Sequence, residues 1–437
     1  MNTSLRGWTN TRLAVAAAAC SALALGLAAC GGGSGGGNGP GSKPLHLVIG
    51  NALPLSGTSK DLGAAGEKAS QLAVDQIKRA VGQAKADHTI RIVNENQGAD
   101  SNAAVDSAKR LVNSDGATCL TGPWSPDAVM QVANDVAIPA KTLEISPVSV
   151  GGDVADLSDH DLIDSTALPE SLEGSALSQA IGRELGGEQG HTVNVAASND
   201  TDGDTIRQDF IDAWQGQDGT IGGQVALAPL QLSTQASQIT AGSPDAVLLI
   251  DDLSGFSQLA PALSSSFSWN PGTAWGSDQL VNPGLPGVVG SQTVNGMRAL
   301  AAGAPRGEDA TSAFLQAFKQ AQPDNVKLAP FAAQEFDATV LCYLSAVAAG
   351  STDGQQMADE LIDITAPGGD EFSWQQLPDA IKALEDGKDI NYTGASGPID
   401  MDVHGNPTAG VFDVYQYTPD LEAVGEVSVS KPNPVTP

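Results

Sequence analysis

The 437 residues predict an α/β protein built from two doubly wound lobes. Short β-branched apolar runs alternate strictly with amphipathic segments of helical period, the signature of a parallel sheet covered on both faces. The alternation pauses over the irregular stretch 147–168 and then restarts, so a second lobe follows the first. Aromatics are 4% of the chain and alanine is abundant, so both cores are expected to be assembled from small and aliphatic side chains.

Taken in order, HLVIGNA (46–52) reads as the first strand, and Ala69, Leu72, Ala73, Ile77, Ala80 and Val81 share one face of a helix over 66–81. HTIRIVN (88–94) is the second strand. A helix through Ala103, Ala104, Ala108, Leu111 and Val112 stops at Asp115-Gly116. ATCLTG (117–122), a helix over 127–136 and TLEIS (142–146) complete the first set. The second set has a helix over 171–186, strand HTVNVAA (191–197), helix 204–215, a strand near 222–228, helix 233–241, strand DAVLLID (245–251) and helix 255–264. Residues 300–390 read as mostly helical, and 391–418 as turns leading into a β-rich run.

The start of the chain reads differently. Arg6 and Arg12 precede the apolar run LAVAAAACSALALGLAA, which is too short to span a bilayer comfortably. The run ends in Leu27-Ala28-Ala29-Cys30, which resembles the lipobox of bacterial lipoproteins, with Cys30 as the lipidated residue. Residues 1–29 are then a signal peptide and the Gly-rich 30–44 a flexible tether. The expectation is a lipid-anchored protein on the extracytoplasmic face of a cell membrane. Beyond Cys30 the mature chain keeps Cys119 and Cys342. An oxidising compartment permits one disulfide between them, and two buried thiols remain the alternative.

The charge balance is 21 basic against 51 acidic residues. Losing Arg6 and Arg12 with the signal leaves 19 − 51 = −32. That excludes nucleic acid as a partner and favours cationic or zwitterionic ligands over anionic ones. The five histidines are scattered with no pair at metal-ligand spacing, so no metal is expected. Asp200, Asp202 and Asp204 alternate like calcium ligands. However, Thr205 stands where an EF-hand loop needs glycine, and Ile211 where it needs a bidentate glutamate. Outside the low-complexity Gly-rich tether no GxSxG, HExxH or GxxxxGK[ST] pattern occurs, so neither an enzyme nor a cofactor is expected. The stretch 53–77 is a strand, then a loop rich in Ser, Gly and Thr, then a helix N-terminus suited to a carboxylate.

LPLSG (53–57) with the helix after it resembles the opening of the branched-chain amino-acid-binding family, the type I periplasmic binding proteins of ABC importers. Four further places agree in order: TGPWSP…ISPVSV (121–150), VAASNDTDGDTIRQDF (195–210), DAVLLID (245–251) with WGSD (275–278), and FDATVLCYLSAVAAG with YTGASGPIDMDVHGNP. The resemblance covers nearly all of 45–425. It implies two α/β lobes joined by three crossovers near 163–168, 299–304 and 393–399, closing on a ligand by a hinge. Lobe one is then 45–165 plus 301–395, lobe two 166–300 plus 396–425, and 426–437 a C-terminal tail.

Carried over residue by residue, the resemblance implies ligand contacts from Leu62, Trp124, Ser125, Val148, Ser149 and Val150 on lobe one. On lobe two it implies Asp202, Asp251 or Asp252, and Asp278, the last in the place that takes an α-ammonium. Relatives carry a hydroxyl where Val150 stands and aromatics at the places of Asp202 and Asp251/Asp252. That exchange argues for a small polar or cationic ligand, because a carboxylate buried by closure needs a positive partner. For Asp202 and Asp251 the competing role is a helix N-cap. The expected function is capture of a small polar ligand (an amino acid, amide or related amine) for ABC permease subunits. A ligand-sensing module for a membrane signalling partner is the alternative, and a secreted enzyme a third.

Overall fold

The computed structural model describes residues 43–150, 157–266 and 268–431. Cys30 and the segment around it lie outside the described residues. Lobe one begins with β1 (Leu45–Leu53), α1 (Lys60–Ala84), β2 (His88–Asn96), α2 (Ser101–Asn113), β3 (Cys119–Thr121), α3 (Pro126–Val132), α4 (Ile138–Ala140), β4 (Leu143–Ser146) and β5 (Ile163–Ser165). Lobe two follows with α5 (Glu173–Leu185), β6 (Thr192–Ser198), α6 (Thr201–Gly216), β7 (Thr220–Leu227), α7 (Leu232–Ile239), β8 (Ala246–Ile250), α8 (Leu253–Ser264), β9 (Ala274–Gly276), α9 (Leu285–Val289), α10 (Ser291–Val294) and β10 (Arg298–Ala302). The chain returns to lobe one for α11 (Asp309–Gln320), α12 (Ala332–Ala349), α13 (Gly354–Leu361), β11 (Asp370–Ser373), α14 (Leu377–Glu385), β12 (Ile390–Gly394) and β13 (Gly397–Pro398). It ends in lobe two with β14 (Ala409–Tyr417) and β15 (Leu421–Ser430).

The two sheets repeat one plan. Lobe one is an all-parallel sheet in the order β2-β1-β3-β4-β5, and lobe two contains β7-β6-β8-β9-β10 in the same relative order. Lobe two then adds β14 and β15 antiparallel at one edge. In each sheet the order reverses beside the first strand, between β1 and β3 and between β6 and β8. Helices leave to opposite faces there and open a crevice at the strand carboxyl ends.

Three boundaries need correction. Gly397 and Pro398, expected in lobe two, pair with Gly394 and Thr393 of lobe one. Ala301 and Ala302, expected in lobe one, pair with Asp413 and Phe412 in lobe two. Residues 426–430, expected in a tail, finish β15 opposite β14, where Val427 and Val429 are buried.

Helix α12 is buried along Ala332–Val347; its second half is apolar nearly all round, and the polar Gln334, Glu335 and Asp337 of its first half are buried too. Cys342 on it is bonded to Cys119 of β3, with Cα atoms 5.9 Å apart, which decides between the bridge and two thiols. Its first turn also grips all three passages between lobes. Thr166 Oγ1 donates to the Gln334 carbonyl (2.9 Å), and Gln334 Nε2 donates to the Gly303 carbonyl (2.7 Å). The Asp337 carboxylate accepts from the Ala395 and Ser396 amides and from the Ser396 and Tyr392 hydroxyls. One end of one helix therefore anchors the hinge.

Candidate functional site

A cavity of about 700 Å³ lies between the lobes at the two crevices. On lobe one it is lined by the loop after β1 (Ser56, Gly57, Thr58, Ser59, then Leu62), by Gln97 to Ser101 after β2, and by Trp124 to Ala128 after β3, with Val148. Trp124 stands edge-on to Phe331, ring centroids 6.2 Å apart, and its backbone N–H donates to Gln97 Oε1 (2.9 Å). A Cβ on Gly66 would lie 2.4 Å from the Trp124 ring, so this glycine in α1 gives the indole its seat. Ser125 caps α3 through the Ala128 amide (3.3 Å) and Asp100 caps α2 through the Ala103 amide (3.0 Å). Asp127 occupies the first turn of α3.

The lobe-two wall comprises Ser198, Asp200, Asp202, Asp251, Asp252, Leu253, Ser254, Ser257, Asp278, Gln279, Val281 and Asn282. Two Asp-x-x-Gly segments, 200–203 and 252–255, open α6 and α8 in the same way. Asp200 Oδ1 accepts from the Gly203 amide (2.7 Å), and Asp252 Oδ1 from the Gly255 amide (2.5 Å). The glycines are needed for room: a Cβ on Gly203 would lie 2.3 Å from Ser198 Oγ, and one on Gly255 2.3 Å from Asp251 Oδ1. The capping role weighed for Asp202 and Asp251 thus falls to Asp200 and Asp252. Asp202 and Asp251 keep their carboxyl groups at the cavity. Asn282 Nδ2 donates to Ser59 Oγ (2.8 Å) and ties the lobes together at one edge of the cleft.

Eight of the ten expected ligand residues line this cavity: Leu62, Trp124, Ser125, Val148, Asp202, Asp251, Asp252 and Asp278. Ser149 and Val150 do not. The Ser146 and Ser165 hydroxyls both donate to the Val148 carbonyl (2.9 and 3.0 Å), and Ser149 and Val150 are buried beyond that turn. Asp127 and Gln97 line the cavity although the sequence reading did not single them out, and Asp200, weighed there only as a calcium ligand, lines it too.

Nor did that reading single out Glu170 and Glu173, which lie behind the lobe-two wall. They are 3% and 1% exposed, and the Oε2 atom of each has no hydrogen-bond partner. Glu173 Oε1 accepts from the Asp278 amide (2.8 Å). Burial, with Asp202 and Asp278 beside it, pushes Glu170 up to about 11. Burial, then Asp278, likewise raises Glu173 well above the carboxylic range. Asp278 is raised to about 7 by burial, the Gln279 amide holding it down and Asp202 adding to the rise. Asp251 is also raised to about 7, by burial first and then by Asp252. The cause is the same throughout, carboxylates crowded into a low-dielectric wall with no cation among them.

The family model for periplasmic binding proteins matches residues 46–419. The chain belongs to the periplasmic binding protein family. This periplasmic binding protein has the type I fold, and its structural neighbours are solute-binding proteins rather than enzymes. The leucine-binding protein LivK of Thermotoga maritima is 16% identical with a TM-score of 0.66, covering 89% of this chain and 99% of its own. The branched-chain amino-acid substrate-binding protein LivJ of Streptococcus pneumoniae, solved with isoleucine, is 18% identical with a TM-score of 0.65, covering 88% and 99%. Among curated proteins, the chemotactic signal transduction substrate-binding protein BasB of Halobacterium salinarum is 22% identical over 380 residues, 83% of this chain and 85% of its own.

Proposed function

We propose that this solute-binding protein captures a small polar ligand bearing an amine (an amino acid or related amine rather than an uncharged amide) in the cleft by hinge closure, and delivers it to the permease subunits of an ABC importer. The carboxylate wall of lobe two carries this reading. Asp202 and Asp278 line the cavity with Glu170 and Glu173 behind them, and among the described residues no Lys, Arg or His lines it. An ammonium group is the partner such a wall needs. Lobe one offers the hydroxyls of Ser56, Thr58, Ser59 and Ser125 to the rest of the ligand. Lipidation at Cys30 would hold the protein on the extracytoplasmic face of the membrane, with 30–44 as its tether.

Thermal-shift screening against amino acids, amides, polyamines and ureas tests the ligand class. Amine-bearing compounds should raise the melting temperature, and stabilisation by uncharged or purely anionic compounds alone would contradict the reading. A sensor role is the second reading, and the similarity to BasB, named for chemotactic signal transduction, supports it. Loss of ligand uptake on deleting the gene favours transport, whereas intact uptake with a lost behavioural response favours sensing.

A further inference from the structure

The cleft carries more negative charge than a single ammonium can answer. Seven aspartates line the cavity: Asp100, Asp127, Asp200, Asp202, Asp251, Asp252 and Asp278. They fall into separate groups. The deep group is Asp202 and Asp278, backed by Glu170 and Glu173, whose buried Oε2 atoms have no partner. The outer group spans the cleft: Asp127 comes from α3 of lobe one, and Asp200, Asp251 and Asp252 from the α6 and α8 N-termini of lobe two. Asp127 feels Asp200 and Asp252 strongly enough for them to reinforce the rise that burial gives its carboxyl. Closing the hinge presses these like charges together unless something positive lies between them.

A point cation fits poorly, since no group of three or more His, Cys, Asp or Glu among the described residues could hold a metal ion. The α2 and α3 N-termini are already capped by Asp100 and Ser125, with Asp127 in the first turn of α3, so of these lobe-one helices only α1, whose start has no side-chain cap, is open to a ligand carboxylate. We propose that the ligand is a linear diamine or polyamine, one ammonium seated against Asp202 and Asp278 and a second held between Asp127 and the Asp200–Asp252 pair as the lobes close. The alkyl chain joining them passes Leu62, Trp124 and Val148, the apolar part of the lobe-one wall. This inference rests on the amine reading of the same cleft and sharpens it from one cationic group to two.

Calorimetric titration of the purified full chain with 1,4-diaminobutane, a linear triamine, 1-aminobutane and leucine separates the two levels. The diamine or the triamine should bind at least tenfold tighter than 1-aminobutane. Asp127→Asn should shrink that ratio several-fold, and Asp278→Asn should weaken every amine. Asp204→Asn, an exposed position paired with Arg207 (2.8 Å), serves as the control and should leave the ratio unchanged. Equal affinity for mono- and diamines, or a ratio insensitive to Asp127→Asn, overturns the second ammonium site. Tighter binding of leucine than of any diamine overturns the diamine assignment while leaving an amine-binding cleft. Failure of every amine-bearing probe overturns both.

Discussion

Lobe one and lobe two reach the cleft with the same strand order and the same kind of helix N-terminus, yet they present different chemistry to it. Lobe one offers the hydroxyls of Ser56, Thr58, Ser59 and Ser125, the Trp124 ring and two aspartates, Asp100 and Asp127, whereas lobe two offers five, Asp200, Asp202, Asp251, Asp252 and Asp278. The backbone plan therefore fixes where a ligand sits, and the residues at the helix starts fix its charge. Lobe one is also the braced partner, stapled by Cys119–Cys342 behind the Trp124 loop. Lobe two holds its wall by hydrogen bonds: two Asp-x-x-Gly caps, the Asp278 amide on Glu173 and the Asn282 amide on the Tyr417 hydroxyl.

The largest effect should come from removing that brace. Cys119→Ser with Cys342→Ser opens a link across 223 residues and should cost about 2–5 kcal/mol of stability, read from chemical denaturation. Next comes the charged wall. Asp278→Asn should weaken amine binding by about 1.5–3 kcal/mol, the worth of a hydrogen bond to a charged group, with little change in melting temperature. If lobe two is shaped as tightly as its glycines imply, Gly255→Ala should cost about 1–3 kcal/mol and disturb Asp251. Asp200→Ala, which removes only a cap, should cost about 1 kcal/mol. An Asp200→Ala loss as large as that of the disulfide would break the contrast between a braced and a capped lobe.

The fold was legible because the βα alternation carries its own period. The apolar faces of α1 and α2 and the strand runs at 46–52, 88–94 and 245–251 coincide with observed elements. The edge of lobe two was harder to read, since most of β15 is exposed or half-buried and the sequence after it, Lys431-Pro432-Asn433-Pro434, resembles a tail in composition. At the site, the strand-end positions Trp124, Asp202, Asp251 and Asp278 were legible from position. Glu170 and Glu173 were not, because two glutamates at a helix start look like ordinary dipole partners until tertiary packing buries them. Asp127 was missed for the same reason. Whether Asp200 or Asp202 caps α6 depends on a two-residue choice of helix start, which composition does not decide.

The raised carboxyl groups also set a pH dependence with a definite sign. Asp251 and Asp278 sit at about 7 in the folded protein, against ordinary values near 4 when unfolded. The unliganded protein should therefore be most stable below about pH 4 with respect to these groups, and lose that stability as pH rises through 7. A bound cation needs them ionised, so its affinity should move the opposite way.

The decisive measurement is the affinity for an amine ligand, by calorimetry, across pH 5 to 8. The carboxylate wall predicts tighter binding as pH rises through about 7, with protons released on binding near neutrality and both effects reduced in Asp278→Asn. Affinity that is flat or falls over that range, with no proton release, would contradict lobe two as the cation-binding wall.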